Sequence, residues 1–364
     1  MAHDWLDALL GTLDAVDGSD LHLKAGSPPR IRVHGRLQAV TGEVVVVPGV
    51  TAEVAAAIMS PEVHSRFEER HEADFAYSVP GLARFRVNAY SQRNTVGLVF
   101  RRVRTTVPGF EELGLPPAVA RLSGEPRGLV VVTGPTGSGK TTTLGAMIDL
   151  INRTRECNIV TIEDPVEILH ADRMASISQR EIGTDTSSFA IAMRAAMRQD
   201  PDVILVGEMR DLETAEAALT AAETGHLVLS TLHTIDVAET VNRIVDVFPP
   251  HQHSQVRVTL AGALRGVICQ RLVPRCDGDG RVAAVEVLVA NGRVQQCILD
   301  PQRTSEISDI VAEGEFYGMQ TFDQSLARLY GQGIIDLQAA LASASRPHDL
   351  RVMLESGGLV ATGV

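Results

Sequence analysis

Leu129-Val130-Val131-Val132, followed by Gly134-Pro135-Thr136-Gly137-Ser138-Gly139-Lys140-Thr141, decides how this chain is read. An unbroken apolar run is a strand buried on both faces, as in a parallel sheet. The turn after it fits G-x-x-x-x-G-K-[ST] and opens a helical pattern, Thr141 to Asn152, which is the context that the motif requires. Its glycines let backbone N–H groups turn inward onto phosphate oxygens, and the helix N-terminus adds positive potential. Gly134, Pro135, Thr136, Gly137, Ser138, Gly139, Lys140, Thr141 and Thr142 are therefore the candidate nucleotide cradle. In it Lys140 reaches the β- and γ-phosphates and the Thr141 hydroxyl ligates Mg²⁺. ATP and Mg²⁺ are the implied cofactors.

Moving outward, three more apolar runs lack alternation: Asn158 to Ile162, Val203 to Val206 and His226 to Leu229. Helical patterns at Ser188 to Gln199 and Asp211 to Glu223 separate them. Strand, helix, strand in series is a wound α/β sheet, and ligands in such sheets sit beyond the carboxyl ends of the strands. The first run ends in Glu163-Asp164, so Glu163 is placed to orient and deprotonate an attacking water. The second ends in Gly207-Glu208, a Walker B position where the acid holds Mg²⁺. The third carries His226 and His233 at its two ends. They are either sensors of the γ-phosphate, links between subunits, or scaffold.

Before residue 105 the texture is α+β. Trp5, Leu6, Leu9, Leu10 and Leu13 recur at helical spacing, and Gly18-Ser19-Asp20 ends that helix. Leu21 to Lys24 and Arg30 to His34 alternate like strands, Glu53 to Met59 and Glu62 to Arg70 read as helices, and Arg84 to Tyr90 and Thr95 to Val103 read as a hairpin across Arg93-Asn94. From Phe75 to Phe110 the chain has no Asp or Glu but holds Arg84, Arg86, Arg93, Arg101, Arg102 and Arg104. Arginine without lysine favours forked contacts to phosphate or carboxylate. These side chains either face a nucleotide phosphate or pair with acids elsewhere. Residues 1–107 form one expected domain, 108–118 a linker punctuated by Pro108-Gly109 and Pro116-Pro117, and 119–364 a second domain with a helical tail from about Asp300.

Composition limits the rest. The net charge of −12 over 364 residues argues against nucleic acid or anionic lipid bound over the whole surface, and no aromatic ladder accompanies the arginines. Cys157, Cys269, Cys276 and Cys297 form no C-x-x-C pair and read as reduced thiols. The N-terminus lacks a signal-peptide pattern and no window matches a membrane helix, so a cytoplasmic chain without membrane insertion is expected.

Ser19-Asp20-Leu21-His22-Leu23, Arg84-Phe85-Arg86-Val87-Asn88, the phosphate loop, Thr161-Ile162-Glu163-Asp164-Pro165, Val206-Gly207-Glu208-Met209-Arg210-Asp211 and Thr231-Leu232-His233-Thr234 occur in this order. Together they resemble the type IV pilus twitching-motility, or retraction, ATPases of the secretion ATPase superfamily over roughly residues 5–335. The resemblance implies an α/β chain in which an N-terminal PAS-like domain joins a RecA-like P-loop ATPase domain. It implies a homo-hexamer at the inner face of the cytoplasmic membrane, coupled to an inner-membrane pilus platform protein. Glu163 then matches the catalytic glutamate, Glu208 the Walker B acid, and His226 and His233 the His box. Arg84, Arg86 and Arg101 match arginines that approach nucleotide.

Retraction is favoured over assembly or type II secretion on three counts. The chain begins directly in the first domain. Only Cys276 follows Gln270-Arg271-Leu272-Val273-Pro274, where a four-cysteine zinc element would stand; Asp277-Gly278-Asp279-Gly280 turns instead into Arg281 to Val289. Leu212-Glu213-Thr214 continues the Glu208 motif as in retraction members. Arg293-Val294-Gln295-Gln296-Cys297-Ile298 stands where those members carry Ala-Ile-Arg-Asn-Leu-Ile, a departure that admits an accessory paralogue. On the residues alone, a non-hydrolysing scaffold and a nucleic-acid translocase remain open.

Overall fold

The computed structural model of the chain describes residues 2–278 and 280–356. Asp279, in the expected turn at 277–280, and the last eight positions of the tail lie outside them. The chain divides into two units: residues 1–105 with 167–169, and residues 106–166 with 170–364.

The first unit is an antiparallel sheet of β1 (Asp20–Lys24), β2 (Arg30–Val33), β3 (Arg36–Ala39), β4 (Glu72–Val79), β5 (Ala83–Gln92) and β6 (Thr95–Arg102), in the order β3-β2-β1-β6-β5-β4. Period-two alternation sends Leu21, Leu23, Phe85, Val87, Leu98 and Phe100 into a core with Leu6, Leu9, Leu10 and Leu13 of helix Ala2–Ala15 and Val54 of helix Pro48–Ile58. Arg93 and Asn94 take φ of 48° and 58°. That pair makes the two-residue hairpin turn whose twist matches the flanking strands. β3 escapes a reading by pattern because all four of its residues are exposed.

The second unit is built on β7 (Gly128–Thr133), β8 (Asn158–Glu163), β9 (Ser176–Glu181), β10 (Val203–Val206), β11 (Leu227–Leu232), β12 (Leu264–Pro274) and β13 (Arg281–Val289). Their order is β13-β12-β7-β11-β10-β8-β9, parallel throughout except for β13. Every residue of β7, β10 and β11 is buried, which is why those runs show no alternation. Helix Lys140–Thr154 packs Leu144, Met147, Ile148 and Ile151 on one face of the sheet with Val130, Val132, Leu205 and Leu229. Helices Phe189–Ala196, Leu212–Glu223, Val237–Asp246 and His253–Ala263 cover the other face, against Leu129, Val131, Ile162, Ile204 and Val228.

Beyond β13 the chain is helical, through Gly292–Leu299, Ile307–Ala312, Phe322–Gly331, Leu337–Ser343 and Pro347–Ser356. The buried Asp323 carboxylate accepts the N–H groups of Ser345 and Arg346 at 2.8 and 3.1 Å, which holds the last helix against the fold.

Candidate active site

β7, β11, β10 and β8 are consecutive neighbours in a parallel sheet, so their carboxyl ends form one row. The Gly134 loop follows β7, His233 follows β11, Glu208 stands two residues past β10, and Glu163 closes β8. The row is held level from below. Ser230 Oγ donates to the Val206 carbonyl at 2.8 Å, and Thr231 Oγ1 to the Gly207 carbonyl at 2.6 Å.

The phosphate loop is shaped by its glycines and by one residue behind it. Gly134 and Gly139 have φ of 138° and 92°, conformations that glycine adopts without a Cβ penalty. A Cβ on Gly134 would run into the Gln270 carbonyl oxygen, and one on Gly139 would lie 2.7 Å from Gln270 Nε2. Gln270 is itself fixed by Thr143 Oγ1, which donates to its Oε1 at 2.8 Å. The Ser138 hydroxyl is buried beside Gly134 and meets no partner among the described residues. A buried hydroxyl left without a partner in a glycine-rich loop at a helix N-terminus fits a phosphate-oxygen ligand. Thr141, in the first turn of helix Lys140–Thr154, is exposed and Thr142 half-buried.

Lys140 Nζ donates to the carbonyls of Gly134 and Pro135 at 2.7 and 3.1 Å and lies 3.5 Å from His233 Nδ1. Burial pushes its pKa below the ordinary lysine value, against the pull of the Glu208 charge. Glu208 in turn lies 3.3 Å from His233 Nε2 and 2.7 Å from Arg210 Nη2. Lys140, His233 and Glu208 thus form one linked set. At the far end of the row, the Glu163 carboxylate accepts from Thr161 Oγ1 at 2.7 Å and from Gln179 Nε2 at 3.1 Å. Two donors on one oxygen fix the carboxylate's orientation, as a group that aligns a water requires.

Residues 19–316 match the family described as Type II/IV secretion system protein. The chain is 46% identical over 334 residues to the type IV pilus retraction ATPase PilT of Pseudomonas aeruginosa, covering 91% of this chain and 95% of that one. The chain belongs to this family, in its PilT-like branch. It is an ATPase. It is also 42% identical over 351 residues to the type IV pilus ATPase PilU of Pseudomonas aeruginosa, covering 96% and 91% of the two chains. A crystal structure of the pilus retraction motor PilT with bound ADP superposes with a TM-score of 0.85 at 42% identity, over 97% of this chain and 99% of that one.

Against this PilT-like frame, the remaining candidates divide. His226 is not brought to the row: it precedes β11, its Nδ1 lies 3.0 Å from the Ala221 carbonyl, and its own carbonyl accepts the Gly128 N–H. A six-residue strand separates it from His233, roughly 20 Å at 3.3 Å per residue. Chain direction separates the two, since only His233 follows the carboxyl end of the strand.

In the first unit, Arg84, Arg86 and Arg101 do share a sheet face, with Arg86 and Arg101 directly opposed. Like charges so placed repel, and Asp20 offsets them. Its buried carboxylate takes Arg101 Nε at 2.8 Å and has Arg32 Nε at 3.7 Å. Burial would raise that carboxyl, but the Ser19 hydroxyl and Arg101 together hold it below the usual range. Arg102 points to the opposite face and clamps Asp14 and Asp17. Within the acid-free strip, Arg101 and Arg102 therefore pair with acids of the same unit.

Gln270, Gln179 and Arg210 are site residues that the sequence reading missed. Gln270 was legible only as one of two polar residues, with Arg271, inside the otherwise apolar run Val267 to Val273. Arg210 stood within the quoted Glu208 motif without being assigned a role, and Gln179 carries no such signal.

Proposed function

We propose that this chain is a subunit of a homo-hexameric ring that hydrolyses ATP to drive retraction of a type IV pilus. One observation carries the reading: the loop leading to Lys140, together with His233, Glu208 and Glu163, lies at the carboxyl ends of four adjacent strands in a chain that aligns over nearly its whole length with a pilus retraction ATPase. Lys140 and the N–H groups of the 134–139 loop hold the β- and γ-phosphates, and Ser138 supplies a further donor. Glu163, oriented by Thr161 and Gln179, takes the proton of the attacking water. The Thr141 hydroxyl and Glu208 are the residues that would hold Mg²⁺, which neutralises charge on the transferring phosphoryl. His233, between Lys140 and Glu208, reports the state of the γ-phosphate to the loop that carries it.

The N-terminal sheet is the PAS-like half of the subunit, and Arg84, Arg86 and Arg101 serve the nucleotide of a neighbouring subunit. Hydrolysis then moves one half against the other and is passed to a platform protein at the inner face of the cytoplasmic membrane. Among the described residues no helix is long and apolar enough to cross a membrane. Arg293–Ile298, on helix Gly292–Leu299, departs from the retraction signature and favours, as a second reading, an accessory motor beside a principal one. Deleting the gene tests the direction of work: cells should carry more or longer surface pili and twitch less. Bald cells would mean that the motor pushes.

A further inference from the structure

Glu286 is a buried acid that no step above uses. It lies on β13, 6% exposed, in a row of residues crossing the sheet just below the phosphate loop. Glu286 pairs in register with Cys269 of β12, Cys269 with Thr133 of β7, and Thr133 with Leu232 of β11. Thr133 directly precedes Gly134, and Leu232 directly precedes His233. From this row the Glu286 carboxylate reaches out to accept the backbone N–H of Val237 at 3.0 Å. Val237 is the first residue of helix Val237–Asp246, and its N–H is one that the helix itself leaves unsatisfied. It is also fully buried, so no water stands in if the acceptor is lost.

The segment that Glu286 holds is stiff. Asp236 caps the helix by accepting the Glu239 N–H at 2.7 Å, and Glu239 accepts the Ile235 N–H at 2.9 Å. Thr240 Oγ1 donates to the Asp236 carbonyl at 2.6 Å and pairs with Thr234 Oγ1 at 2.7 Å. Residues 234–240 therefore move as a block, and that block starts one residue after His233. His233 is half-exposed, and its side chain meets only Lys140 and Glu208 among the contacts above, so its place depends on the block behind it.

We infer that Glu286 is a positioning residue for His233: by anchoring the Val237 N–H, it fixes the loop that aims the imidazole between Glu208 and Lys140. The inference rests on the proposed role of His233 at the nucleotide. Its consequence is kinetic, because a displacement of about 1 Å at a site of this kind costs up to about 10²-fold in rate.

The test is steady-state ATP turnover by the purified full-length protein. Glu286→Met keeps the volume and removes the acceptor; Glu286→Gln keeps an oxygen that can still accept. Val237→Pro removes the donor instead, at a first helical position where proline is tolerated, and so breaks the same bond without touching the acid. Glu286→Met and Val237→Pro should each lower kcat about tenfold with KM for ATP changed less than about twofold, and Glu286→Gln should stay within about twofold of wild type. In a His233→Ala background, Glu286→Met and Val237→Pro should change kcat less than about twofold, because the group they position is gone. Equal losses in both backgrounds, or a Gln variant as impaired as the Met variant, would overturn the inference alone. Wild-type turnover by His233→Ala would overturn the role of His233 and the inference with it.

Discussion

The Gln270 carbonyl oxygen closes the space where a Cβ on Gly134 would have to stand. The phosphate loop is thus moulded against β12, a strand outside the motif, as well as by its own glycines. Gly134→Ala would meet that carbonyl at a φ of 138° and carry roughly 1–3 kcal/mol of backbone strain. Relief requires the loop to shift away from β12. ADP affinity, measured by calorimetry, should fall about tenfold or more, while Gly137→Ala, where a Cβ meets only open space, should bind more tightly than Gly134→Ala.

Glu163 and Glu208 are separated by their partners. The partners include Thr161 and Gln179 at Glu163, and Arg210 and His233 at Glu208. Glu163→Gln should bind ATP normally and hydrolyse it about 10²–10⁴-fold more slowly. Glu208→Gln should instead raise the Mg²⁺ concentration needed for half-maximal turnover. A Glu163→Gln enzyme of ordinary kcat beside a dead Glu208→Gln enzyme would exchange the two roles.

The parts of the site that were legible in the sequence are those written in consecutive residues. The 134–141 loop, the apolar runs ending at Glu163 and Glu208, and the Arg93-Asn94 hairpin each carry their own local signal, and each is found in place. β12 and β13, which complete the sheet, interrupt the strand-helix alternation. Gln270 meets the loop through a contact between residues 136 apart (270 against 134), and Gln179 meets Glu163 from the neighbouring β9. Such pairings follow from strand order, which no local pattern encodes. The two histidines of β11 are the converse case: chain direction alone puts His233, and not His226, at the carboxyl end where ligands sit.

Glu286 gives the fold a pH dependence. Burial lifts its carboxyl to about 7; Asp236 adds to the rise, while the Val237 N–H, the Cys269 thiol and Arg271 pull it down. Since the ordinary value is 4.5, the folded chain holds this proton more tightly between those two values. Its contribution to stability is therefore fully present below about pH 4.5 and is lost as pH rises through about 7. The loss is at most about 3 kcal/mol. Glu286→Gln should accordingly gain in Tm relative to wild type between pH 5 and pH 8, read by differential scanning calorimetry. A constant difference across that range would contradict this.

If the arginine face acts on a neighbour's nucleotide, defects in the face and in the phosphate loop should complement each other. Lys140→Ala keeps its arginines and Arg86→Ala keeps its phosphate loop. Mixed rings should therefore turn over more ATP than the sum of the two pure proteins, since an arginine given in trans is worth about 10³–10⁵ in rate. Strictly additive mixtures would place the arginines in a role within the subunit.

The central claim joins chemistry at Glu163 to the withdrawal of a filament. It is tested most directly by imaging labelled pili in cells whose only copy of this gene carries Glu163→Gln. Pili should extend normally and retract at a frequency close to that of the deletion strain. Retraction at the wild-type frequency, with the variant's ATP turnover abolished in vitro, would contradict the account.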